Sequence, residues 1–234
     1  MMVLGKSSMD LVLVPCALVI ILGYHLLLFR RILRRPHTTM IGYESHNRLA
    51  WLQRMARAVA PEEATLALRV IADGISASTT LASLCLALPS LIGAWELSGT
   101  STSPVPGDTS QAPTMKYASL LACFLASFTC FVQSAGCYVH ASFLISALGS
   151  DAPVSHVQRA VLRGGGFWEA GLRVLYLATL LLVWVSFGAA PMLACSVLTV
   201  AVLHLLDTNS VPLHCHQFTP ESKEPSTTTT QVQP

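Results

Sequence analysis

The sequence predicts an all-α integral membrane protein: a four-helix transmembrane bundle with one amphipathic interfacial helix in its first cytoplasmic loop. Three observations predict it. Of 234 residues, 53% are hydrophobic and only 11% charged, against roughly 25% charged in soluble domains, and the mean hydropathy is +0.58. Apolar runs long enough to cross a bilayer recur four times, at about 9–29, 70–95, 117–148 and 171–206. The 14 lysines and arginines are unevenly spread, with eight between the first two runs and three more between or bordering the last two.

The first segment, 9–29, matches the roughly 30 Å apolar thickness of a bilayer at about 1.5 Å per residue. Arg30, Arg31, Arg34 and Arg35 close it. Such a cluster marks the end that stays in the cytoplasm. The run exceeds the roughly 7–15 apolar residues of a secretory signal peptide, so it reads as an uncleaved signal anchor. In the loop that follows, 47–60 has helical periodicity. Leu49, Trp51, Leu52, Met55, Ala56 and Val59 share one side, and His46, Gln53, Arg54 and Arg57 the other. A helix lying in the headgroup plane, or one packed on its own bundle, has this pattern. Arg48 falls in the apolar arc and fits neither.

The second segment opens with Pro61-Glu62-Glu63, suited to a helix's first turn. Arg69, Asp73, Ser76, Thr80 and Ser83 fall in a narrow arc along it, and such a stripe is costly against lipid. This segment is therefore expected to be interior. Residues 96–116, rich in Ser, Thr, Pro and Gly, read as an exposed loop. The third segment carries its own polar arc of Thr129, Gln133, Gly136 and His140. Antiparallel packing sets Asp73 level with His140, and Thr80 near Gln133. These four are the candidate polar interior. Residues 149–170 read as a loop, and their Gly164-Gly165-Gly166 run follows no strand and so is no phosphate loop. The fourth segment is interrupted by Gly188-Ala189-Ala190-Pro191. A proline removes a helical hydrogen bond, so one helix kinked near Pro191 is predicted, with two half-length helices as the alternative. Residues 209–234 have the composition of a disordered tail.

Four spans put 11 of the 14 basic residues on the cytoplasmic side with both termini outside, as the positive-inside rule requires. Arg69 and Arg173 then join the arginine cluster as membrane-boundary anchors. The seven cysteines form no Cys-x-x-Cys pair, and six lie in apolar segments as small hydrophobes. No catalytic constellation, metal set or cofactor motif is present, so an enzyme is not expected, nor is nucleic acid as a partner. The expected partners are the bilayer, anionic lipids at the basic loop and, compatibly, further copies of the chain.

A set of short motifs in order resembles the domain-of-unknown-function 599 family of plant and bacterial membrane proteins. They are Tyr24 with Phe29-Arg30-Arg31, Gly42, Arg48-Leu49-Ala50-Trp51, 66–69, Ala77-Ser78 and Leu81-Ala82-Ser83. Gly171-Leu172-Arg173, Tyr176, Trp184, Gly188, Pro191 and Leu206-Asp207 follow. The resemblance covers about 10–208 apart from the 96–116 loop, and Asp73-Gly74 departs from it. It implies a multi-span membrane protein and brings no reaction or ligand. Two functions follow from the residues. One is a transporter or channel component using the polar interior of spans two and three. The other is a non-enzymatic scaffold acting through its basic loop.

Overall fold

The structure, a computed structural model, describes residues 2–34, 38–57, 61–99, 111–146 and 154–208. They form six helices: α1 (Met2–Arg34), α2 (Met40–Arg57), α3 (Pro61–Gly99), α4 (Gln111–Ser146), α5 (Val154–Phe187) and α6 (Ala189–Asp207). All but α2 are long and apolar enough to cross a membrane, which makes five such helices where the sequence predicted four.

The difference lies at Gly188, which has φ 94° and ψ −173°. A positive φ of this kind is open to glycine and strained for a residue with a Cβ. The chain doubles back there. Arg173, on α5, and Asp207, at the end of α6, form an ion pair with Nη2 to Oδ1 at 2.5 Å. One continuous helix would hold residues 34 positions apart at about 51 Å. The expected kinked helix over 171–206 is therefore two antiparallel helices. Pro191 falls in the first turn of α6, where the backbone N–H it lacks has no helical acceptor anyway. Nor is 149–170 a loop, since α5 starts at Val154. The Tyr24 and Asp207 side chains meet, so α1 and α6 run parallel. The start of α1 and the end of α6 thus lie at opposite ends of the bundle.

Helices α3, α4 and α5 pack antiparallel in a register set by small polar side chains. Ser127 Oγ donates to the Gly171 carbonyl and Ser134 Oγ to the Gly164 carbonyl, both at 2.9 Å. On the other side Cys85 Sγ lies 3.6 Å from Ser127 Oγ, and the Ser78 and Ser134 hydroxyls are 3.3 Å apart. Each contact recurs after seven residues, the spacing of a left-handed helix pair. Close approach is needed at both levels. A Cβ on Gly171 would come within 2.9 Å of the Phe131 ring, and one on Gly164 within 2.9 Å of Tyr138.

Three cores result, the smallest of them Ile21, Leu180 and Leu203 of α1, α5 and α6. Of the two larger, one joins Val14, Ala17, Cys85, Phe124, Phe131, Ala178 and Met192 of the five long helices. The other gathers Leu52 of α2 with Ala67, Ile71, Ala141, Ile145 and Val161 at the arginine end. Helix α2 begins earlier than the expected 47–60. It is packed on the bundle, with Leu52 only 3% exposed and Arg54 facing out. Arg48 bonds Glu44 one turn back and lies against Gly165, where any Cβ would overlap its guanidinium. That accounts for a charge in an apolar arc and for the middle glycine of the triplet. Residues 58–60 and the 209–234 tail lie outside the described residues.

Candidate functional site

The arginine end carries the chemistry. Arg173 donates from Nη1 to Asp207 Oδ2 at 2.7 Å and from Nη2 to Oδ1 at 2.5 Å, a two-pronged pair. Tyr24 adds its hydroxyl to Oδ2 at 2.7 Å. Both partners are largely buried, at 16% and 10% side-chain exposure. Paired, hydrogen-bonded charges are the tolerable form of burial, because removing one partner leaves the other uncompensated. Asp207 thereby fastens α6 to α1 and α5 together. A further tie is the backbone bridge of Thr39 to Thr208.

One cleft borders this lock, and a second shares Glu44 with it. One, of about 310 Å³, is lined by Glu44, Glu169, Arg173, Tyr176 and Asp207. The other, of about 420 Å³, is lined by Glu44, Arg48, Trp51, Gly74 and Tyr138 and is mostly apolar. With Arg48 on Glu44 and Arg173 on Asp207, Glu169 adds a carboxylate with no hydrogen-bond or ion-pair partner among the described residues. A third cleft, of about 230 Å³, lies between α4 and α5 and is bordered by Gln133, Cys137, His140, His156, Arg159 and Arg163.

The candidate interior residues are differently placed. Asp73, Thr80, Gln133 and His140 are all exposed. The register sets Asp73 level with residue 139, and the arcs face outward. Gln133 and His140 share the α4–α5 cleft, in which Asp73 and Thr80 take no part. Thr80 bonds back to the Ser76 carbonyl of its own helix. Among the described residues no hydrogen bond or ion pair joins Asp73 to His140 or to Arg69. On α3 and α4 the described polar side chains that are interior are Ser78, Ser127 and Ser134, all with no exposure.

Of the expected anchors, Arg30, Arg34 and Arg69 are exposed, and Arg31 Nε donates to Thr38 Oγ1 at 3.1 Å. Arg35 lies outside the described residues. Arg173 is held by Asp207. Nothing in the sequence pattern marks Glu44 or Glu169, and Asp207 stands there only within a motif, although a carboxylate closing a long apolar run is a visible signal. At the other end of the bundle, Lys116 Nζ stands 4.7 Å from the centre of the Trp184 ring.

Chemically the arginine end offers ion pairs and anion- or cation-facing clefts. Among the described residues no three His, Cys, Asp or Glu side chains gather as metal ligands would. Tyr24, Arg48, Trp51, Arg173, Tyr176 and Asp207, from five motifs of the resemblance, all converge on the lock and the two clefts that share Glu44. No curated protein and no solved structure matches the chain. A family model described as "Protein of unknown function, DUF599" matches residues 12–212, and the chain belongs to that family.

Proposed function

We propose that this multi-pass membrane protein is a non-enzymatic scaffold or interaction protein, and that its working part is a helical head projecting from the membrane at the arginine end. One observation carries the reading: Asp73 and Thr80 of α3 and Gln133 and His140 of α4 face outward, at a level that the arginine cluster puts beyond the bilayer. On α1 the apolar run ends at Phe29, and Arg30 follows at the boundary. Tyr24, tied to Asp207 and Arg173, lies six residues inside it, about 9 Å. The same step along α5 leads to Phe167-Trp168, aromatics of the kind found at headgroup level. The helix registers carry that level to Phe131 on α4 and Leu81 on α3.

From this boundary about 20 residues of each helix fit an apolar layer of roughly 30 Å. The layer ends near Lys116 and Trp184, a cation and an aromatic suited to the opposite interface. Beyond the boundary α3 keeps 61–80, α4 keeps 132–146 and α5 keeps 154–166. These reach about 20–30 Å outward, with α2 docked on them. Asp73, Thr80, Gln133 and His140 then face water or headgroups at little cost, and the Leu52 cluster is the head's own core.

Of the described lysines and arginines, only Lys6 and Lys116 lie toward the other end, so the head is cytoplasmic by the positive-inside rule. Five crossings make the start of α1 non-cytoplasmic and the end of α6 cytoplasmic. In the membrane layer Phe124, Phe131 and Met192 are fully buried, which favours a packed anchor over a conduit. A transport or channel role keeps one observation in its favour. Glu169, Arg173 and Asp207 lie inside the boundary, where ionisable groups often mark a pathway.

Cysteine labelling tests the reading. In proteoliposomes of full-length protein whose native cysteines are replaced by alanine, Asp73→Cys and His140→Cys should react quickly with a membrane-impermeant maleimide. Leu125→Cys, level with Arg173, should stay protected. Equal protection of all three sinks the head. Ion flux abolished by Asp73→Ala would favour the transport role instead.

A further inference from the structure

We propose that the groove between α4 and α5 binds the headgroup of an anionic lipid that carries phosphate beyond the phosphodiester of the bilayer plane. The inference rests on the head described above for its depth. Helix α5 presents His156, Arg159 and Arg163 at steps of three and four, so they share one face. Helix α4 answers with Gln133, Cys137 and His140 at the same steps. The two antiparallel rows border a groove of about 230 Å³, with room for a headgroup and none for an acyl chain.

No carboxylate lines that groove. Neither Arg159 nor Arg163 has an ion-pair partner among the described residues. Two arginines one turn apart repel each other, and the bland outcome, a solvated pair, would not need imidazoles and an amide set opposite. Guanidinium forks match phosphate oxygens two at a time. His140, His156 and the Gln133 amide supply further donors around the same space.

Depth selects the ligand. Arg163 lies four residues past Phe167, about 6 Å beyond the hydrocarbon boundary, and Arg159 about 12 Å beyond it. The headgroup layer adds roughly 5–8 Å to each side of the hydrocarbon core. Arg163 is therefore level with the lipid phosphodiesters, and Arg159 and His156 stand above them. A phosphate monoester on the outer side of a headgroup reaches that height, which a phosphatidylserine carboxylate does not. The same monoester chemistry exists on soluble inositol phosphates, so the test separates the two sources.

Full-length protein is placed in phosphatidylcholine nanodiscs holding a small fraction of a phosphatidylinositol phosphate, or of phosphatidylserine at matched charge. A third sample has phosphatidylcholine alone with soluble inositol phosphate added. Lipid adducts are counted by native mass spectrometry, and affinity is read with a fluorescent phosphoinositide. The wild type should keep the phosphoinositide and release phosphatidylserine. Arg159→Gln with Arg163→Gln should weaken binding about thirtyfold. Arg159→Lys with Arg163→Lys should keep part of it, and Arg54→Gln, exposed on α2, should change nothing. Soluble inositol phosphate binding as tightly as the lipid keeps the groove and makes the soluble compound its ligand. Double-Gln binding within about twofold of wild type, or equal retention of phosphatidylserine, overturns the proposal. The labelling of Asp73→Cys and His140→Cys reports the head's depth separately, so a misplaced boundary and an empty groove give different results.

Discussion

Helices α3, α4 and α5 build the same contact twice, seven residues apart, and the two copies differ in chemistry. The first has Cys85, Ser127, Phe131 and the glycine at 171; the second has Ser78, Ser134, Tyr138 and the glycine at 164. In each, a serine hydroxyl bonds a neighbouring helix's carbonyl and an aromatic ring lies over a glycine. Stepping outward, the thiol becomes a hydroxyl and the phenyl ring a phenol. Phe131 is fully buried, whereas Tyr138 borders the cleft with Arg48 and Trp51. The backbone contact is the same in both, and the side chains differ in whether the ring is sealed or borders a cleft.

Truncating the two rings should separate the copies most. Phe131→Ala empties a sealed site and should cost about 3–5 kcal/mol. Tyr138→Ala should cost less than half of that, because the ring already faces a cleft. Thermal unfolding of the full chain in one detergent measures both, and equal losses would break the contrast.

Adding and removing a single oxygen is a finer cut. Phe131→Tyr sets an unpartnered hydroxyl in a sealed apolar core and should destabilise by about 1–3 kcal/mol. Tyr138→Phe should stay within about 1 kcal/mol, and the reverse order in the same melts would exchange the two environments. The smallest effects belong to the outward polar residues. Asp73→Ala and Gln133→Leu should each move stability by no more than about 0.5 kcal/mol. A loss of several times that would mean these side chains have partners after all.

The sequence made the helices, the arginine end and the relative depths legible, since length, hydropathy and antiparallel register need no side-chain contact. It did not reveal which polar face turns inward. Ser134 bonds the Gly164 carbonyl on α5, while Thr80 and Ser83 bond carbonyls of their own helix. In a string of letters these hydroxyls are equivalent, because each satisfies itself cheaply and only packing distinguishes them. Periodicity therefore found the stripe at Asp73 and missed the serines that hold the core. At 188–191 the proline drew the inference of a kink, yet the reversal belongs to the glycine three residues before it. Composition marks a break in a helix and leaves its angle open. Arg48 resisted explanation for a similar reason: its place is made by a missing Cβ on a helix more than a hundred residues later.

Helix α1 leans chiefly on α6, and Tyr24 finds its acceptor on Asp207, 183 positions downstream. During synthesis the first crossing enters the membrane long before its main neighbour exists. Until α6 emerges, Tyr24 and Arg173 lack the carboxylate that joins them. Closing so distant a contact is slow for any chain. The row of long helices is thus completed by its last member, and a chain interrupted before Asp207 leaves its first helix waiting in the bilayer.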